Sequence, residues 1–161
     1  MKKTLVSLAA LLVTILVGNN PANSKSDVNN SLAKIPAAYE LASNPSYLNG
    51  TWIGTYVCAQ GLTSVRLNIS AKNDNNIDAV FSFYANANNV NVPPGSFRMK
   101  GRLIDGSNTL ELRATKWIVH PLGYGALDMV GDILPSRERI VGSFINGNEV
   151  GCTNFDLTKA N

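Results

Sequence analysis

The chain has 161 residues, 45% of them hydrophobic, with 14 Lys or Arg against 11 Asp or Glu and a net charge of +3. That length suits one domain with room for a core, and so slight a positive excess excludes a nucleic-acid binder, which needs a concentrated basic stripe. Two cysteines and one histidine leave a tetrahedral zinc site short of ligands, so neither metal nor cofactor is expected.

Lys2 and Lys3 precede an apolar run over residues 5–17, broken only by Ser7 and Thr14. Gly18 and a polar stretch follow. This is the pattern of a secretory signal peptide, and the run is shorter than the roughly 20 residues of a spanning helix. Ala22-Asn23-Ser24 is the best small-x-small cleavage site, so residues 1–24 are expected to be removed. No cysteine follows the apolar run, so a lipidated N-terminus is not expected. Cleavage takes Lys2 and Lys3 away and leaves a net charge of +1. Intact-mass analysis of the exported protein is expected to show a chain starting near Lys25; a mass that retains residues 1–17 would overturn the reading.

Residues 25–48 read as a linker with a short helix or turn around residues 36–42, where Pro36 opens a small-residue run. From Gly50 the hydrophobic period changes to two, the strand signal. Strands are expected over 52–59, 63–71, 79–84, 96–104, 109–119, 126–134, 139–145 and 152–159. In the second, Val65, Leu67, Ile69 and Ala71 share one face. In the fourth, Phe97, Met99, Gly101 and Leu103 face in, while Arg98, Lys100 and Arg102 face out. Asp105-Gly106 is a hairpin signal, and Asn146-Gly147-Asn148 is read as the last turn.

Hairpin-length connections make residues 49–161 an antiparallel meander. Eight such strands close into an up-and-down barrel without exposed edges; a two-sheet β-sandwich is the alternative. Cys58 and Cys152 fall on the first and last predicted strands, which pair in a closed meander. A disulfide there suits an exported protein, periplasmic or extracellular.

Three segments form a recognisable set: Gly50-Thr51-Trp52-Ile53-Gly54-Thr55-Tyr56-Val57-Cys58-Ala59-Gln60-Gly61, Pro94-Gly95-Ser96-Phe97, and Trp117 through His120-Pro121-Leu122-Gly123-Tyr124. With Gly151-Cys152-Thr153-Asn154-Phe155 they resemble a group of small exported bacterial β-domains, found alone or appended to larger proteins. That resemblance covers about residues 50–158 and implies export and a β-fold, not an activity. The architecture also resembles lipocalin and avidin barrels: Gly50-Thr51-Trp52 matches the Gly-x-Trp opening of the first and the Gly-Thr-Trp opening of the second. Their later motifs and ligand contacts have no counterpart here. Tyr56-Val57-Cys58, followed by Gly61, resembles periplasmic inhibitors of C-type lysozyme, whose later Ser-Gly-x-x-Tyr segment has no clear match.

Candidate chemistry is sparse. His120 lies in a loop before a proline, without a Gly-x-Ser-x-Gly elbow anywhere in the chain, and reads as a solvated or turn-packing residue. Asp128 and Asp132 fall on one face of a predicted strand, a spacing that acid–base work or Ca²⁺ would use, but they read as solvated. Arg98, Lys100 and Arg102 form an outward stripe expected to pair partly with Glu111. The aromatics are the better binding candidates. Trp52 reads as barrel floor. Trp117 and Tyr124 flank the His120 loop and, with Asn88 and Asn89 of the long Asn-rich loop over residues 86–95, mark one barrel end as a recognition surface. The expected function is a non-enzymatic exported binding or interaction module for a small ligand, glycan or protein. Neither nucleic acid nor stable membrane insertion of the mature chain is expected. The alternative is an inhibitor of a secreted hydrolase such as lysozyme, which needs a packed interior and a protruding loop. A binder needs a hollow one; an enzyme, the least expected class, needs converging polar groups in a cleft.

Overall fold

A computed structural model describes residues 44–161, apart from 73, 105 and 146. The expected signal peptide and the helix around residues 36–42 lie outside the described residues. Eight antiparallel strands run in meander order: β1 Gly50–Cys58, β2 Gly61–Ala71, β3 Ile77–Tyr84, β4 Gly95–Leu103, β5 Thr109–Val119, β6 Met129–Ile133, β7 Arg139–Phe144 and β8 Asn154–Lys159. They close into a barrel, each strand bonded to its sequence neighbours and β1 to β8. The closing ladder runs from Trp52 opposite Lys159 to Tyr56 opposite Phe155. The barrel of the sequence reading is present; the sandwich is not.

Strict alternation builds the interior. Val65, Leu67 and Ile69 of β2, Phe81 and Phe83 of β3, and Phe97 and Met99 of β4 are all buried, while Arg66, Asn68, Arg98 and Lys100 between them face solvent. Apolar-in and polar-out is the reverse of a transmembrane barrel. No described helix is long and apolar enough to cross a membrane.

One end is plugged. A 3-10 turn, Pro45–Leu48, is capped by the Asn44 side chain and drives Leu48 into the core. The Trp52 indole N–H donates to the Leu48 carbonyl at 2.8 Å. The Lys159 ammonium donates to the Tyr47 carbonyl at 2.6 Å and lies over the Trp52 ring. Trp52 is thus the barrel floor that its place on β1 predicts. At the same end the Asn75 side chain both accepts from the Leu103 N–H and donates to the Leu103 carbonyl, tying the β2–β3 turn to β4.

Most expected strand limits shift by a residue or two, and two starts move for a visible reason. β6 begins at Met129, not residue 126, because the Asp128 carboxylate accepts the Ala114 backbone N–H at 2.7 Å and so takes a donor of β5 that a longer β6 would need. The same carboxylate pairs with Arg113 at 3.1 Å. Asp128 and Asp132 both face outward, as expected, but each is taken up by its own β5 partner, Asp128 by Arg113 and Asp132 by the Thr109 hydroxyl. Cys152 lies just before β8 rather than on it, after a 3-10 turn Gly147–Val150 that replaces the expected tight turn. Glu111 pairs with Arg113, not with the β4 cations.

The walls are closely coiled. A Cβ on Gly101 would sit 1.8 Å from the Glu111 carbonyl oxygen, so β4 and β5 approach where only glycine fits. Gly101→Ala is expected to destabilise by at least about 2 kcal/mol, the scale of forced overpacking. A urea midpoint close to wild type would show that the ladder relaxes freely there.

Candidate functional site

The opposite end of the barrel is formed by the β1–β2 turn and the β3–β4, β5–β6 and β7–β8 loops. A cavity of about 360 Å³ lies there. Its deep wall is three rings in mutual edge contact: Tyr56 to Phe144 at 5.3 Å between centroids, Tyr56 to Phe81 at 5.7 Å, and Phe81 to Phe144 at 6.1 Å. Phe83, Phe97, Leu127 and the Cys58–Cys152 disulfide line the sides. Exposed Ala59, Gly123, Gly125 and Val150 also line it, so the cavity reaches the surface.

Three polar side chains, Tyr56, Gln60 and Tyr124, interrupt this apolar lining. The Gln60 amide donates to the Tyr56 hydroxyl and to the Thr63 hydroxyl, both at 3.2 Å. Thr63, fully buried, donates in turn to the Gly61 carbonyl at 3.1 Å. Burial pushes the Tyr56 hydroxyl far above the ordinary tyrosine range, although the Thr63 and Gln60 hydrogen bonds pull it back slightly. It therefore stays a neutral hydroxyl at any working pH. The site can hold an apolar molecule and meet one polar group of it; it holds no charged side chain among the residues lining it.

The sequence candidates are brought to this end, in different roles. Tyr124 lines the cavity and stacks on Phe83 at 5.3 Å with ring planes 17° apart. Trp117 stands behind the lining, edge-on to Phe97 at 5.1 Å and to Phe83 at 6.4 Å. Simple alternation from Leu110 and Leu112 would turn Trp117 outward. A register shift between Arg98 and Met99 leaves Thr115 without a partner, its hydroxyl donating to the Arg98 carbonyl, and returns Trp117 to the inside opposite Phe97. His120 stacks on Trp117 at 4.2 Å and its Nε2 lies 2.9 Å from the Tyr124 carbonyl oxygen. It is the turn-packing histidine, fixing the loop that carries Tyr124.

Asn89 does not line the cavity. Its side-chain amide donates to the Gln60 carbonyl, while the Asn86 amide donates to Ser64. Val92 is buried. The Asn-rich loop is thus folded onto the barrel, with Asn88 at its exposed tip. Cys58 and Cys152 were expected to close the barrel, and they also form part of the cavity wall.

The residues that the sequence reading missed are the phenylalanines. All five in the chain lie inside, and four line the cavity. The signal was present: Phe81 and Phe83 near the end of β3, Phe97 near the start of β4 and Phe144 at the end of β7 are all at one end once the meander is folded.

No family model and no curated protein matches this chain. Among solved structures it is similar to a redesigned β-barrel, with a TM-score of 0.52 and 15% identity over 72% of this chain and 93% of the other. It is also similar to EF1p2_mFAP2b bound to DFHBI, with a TM-score of 0.51 and 14% identity over 74% of this chain and 98% of the other. At such identities the likeness is one of fold.

Proposed function

We propose that this protein is an exported, non-enzymatic binding module whose barrel end takes a small, largely apolar molecule bearing one hydrogen-bonding group. The carrying observation is the aromatic cavity that reaches the surface beside the Tyr56–Gln60 pair. Its size falls at the small end of the range that ligand sites occupy, and apolar walls with few oriented polar groups are their usual chemistry. The same fold in EF1p2_mFAP2b holds DFHBI, which supports a small molecule as the occupant. The disulfide supports an oxidising compartment, in keeping with the expected signal at residues 1–24. An inhibitor would use a protruding loop, and the Asn-rich loop is instead pinned to Gln60 and Ser64.

Titration with N-phenylnaphthylamine, a neutral aromatic dye, is expected to give saturable fluorescence enhancement. Gly125 lines the cavity and a Cβ built there meets nothing within 4 Å. Gly125→Trp should therefore block the dye without shifting the melting temperature. Absence of enhancement with the wild type, or equal binding by the stable variant, would refute the proposal.

A further inference from the structure

We propose that the open end docks on an anionic lipid bilayer through the tips of its β3–β4 and β5–β6 loops. Leu122 is fully exposed and Val90 is 71% exposed, on two loops that are neighbours around the mouth. Ile118 and Val119, half-exposed at the end of β5, continue the same side. Of the nine large apolar side chains exposed among the described residues, these four, which include the two most exposed, belong to this side of the rim.

Charge complementarity selects the partner. Ser96 pairs with Val119 at the rim, and Arg98 pairs with Lys116 below it. Two residues along β4 place these outward cations about 7 Å below the Ser96–Val119 rim. Arg66 of β2 adds a third on the same outer wall. None of the three has an ion-pair partner among the described residues. Apolar tips backed by long cationic side chains match a bilayer, whose acyl boundary lies beneath a layer of anionic headgroups. Glu149, the exposed acid of this end, is on the β7–β8 loop, across the mouth from the β3–β4 loop. Docking is therefore tilted toward the β3–β5 side. The geometry sets the cavity mouth against the membrane. Docking itself does not depend on the ligand reading, and the naphthylamine titration tests that separately.

The test uses the full exported protein with its disulfide formed. A bimane probe is placed by Leu122→Cys at the proposed contact, or by Ser136→Cys on the β6–β7 turn at the plugged end. Vesicles of phosphatidylcholine with phosphatidylglycerol carry a spin-labelled quencher lipid. Quenching is expected at position 122 and not at 136, and much less with pure phosphatidylcholine. Comparing two positions on one molecule keeps the result independent of any retained N-terminal apolar segment. Arg98→Ser with Lys116→Ser should weaken vesicle binding about 25-fold, at about fivefold for each cation near the surface. Equal quenching at both positions, or indifference to phosphatidylglycerol, would overturn the proposal. So would a dimer in sedimentation that Leu122→Asp dissolves while vesicles go unbound; the tips would then be a contact between copies of this chain.

Discussion

Replacing Cys58 and Cys152 together by Ala is expected to lower the melting temperature by about ten degrees or more. The two cysteines are 94 residues apart in sequence. Loop-closure entropy for that span predicts about 4.7 kcal/mol, and measured values usually fall short of it. About 3 kcal/mol is enough for a ten-degree shift in a domain of this size. The geometry adds a local reason. The β1–β8 ladder ends at Tyr56 opposite Phe155. Beyond it, among the described residues, the Thr153 N–H to Val57 carbonyl bond, at 2.9 Å, and the disulfide hold the two strands together. Cys152 and Val150 also line the cavity. Losing the bond should therefore weaken dye binding as well as stability. Differential scanning calorimetry of the oxidised wild type and the double variant measures the first effect. A shift under three degrees would mean that the ladder alone closes the barrel.

The barrel was legible because its information is local. Period-two alternation in β2 and β4 sets which face is buried, and hairpin-length connections set the strand order. What was not legible depends on contacts made only after folding. The start of β6 is decided by the Asp128 carboxylate capturing the Ala114 N–H, a long-range bond that competes with a local strand pattern. The inward turn of Trp117 depends on the unpaired Thr115, which alternation counted along β5 alone does not register. The site was legible in part. Trp117, His120 and Tyr124 stood out as aromatic residues around an irregular loop. Phe81 and Phe144 did not, since each reads as ordinary core until the closed barrel shows that the interior is incompletely filled beside them. Asn89 was misleading for the opposite reason. An Asn-rich loop reads as exposed recognition chemistry, but its amide is used to fasten the loop to the Gln60 carbonyl.

The two tryptophans should separate stability from function. Trp52 has no exposed surface and its indole N–H is bonded to Leu48. Trp52→Ala empties the plugged end and orphans a buried carbonyl. It is expected to cost about 4 kcal/mol, in the range of truncated core aromatics. Trp117 is only half-buried, held between Phe97 and the exposed His120 ring. Its truncation removes less buried area, so the cost should stay below about 2 kcal/mol. The effect on binding should run the other way. Without Trp117 the His120 stack is lost, and with it the support for the loop that lays Tyr124 against Phe83. Dye affinity should then drop about tenfold or more, while Trp52→Ala at the far end leaves the affinity of the remaining folded protein nearly unchanged. Urea unfolding supplies the stabilities, and naphthylamine titration below the unfolding transition supplies the affinities. If Trp117→Ala instead destabilises as much as Trp52→Ala and the folded fraction binds dye normally, Trp117 belongs to the core alone. The open end would then not depend on it for the shape of its cavity.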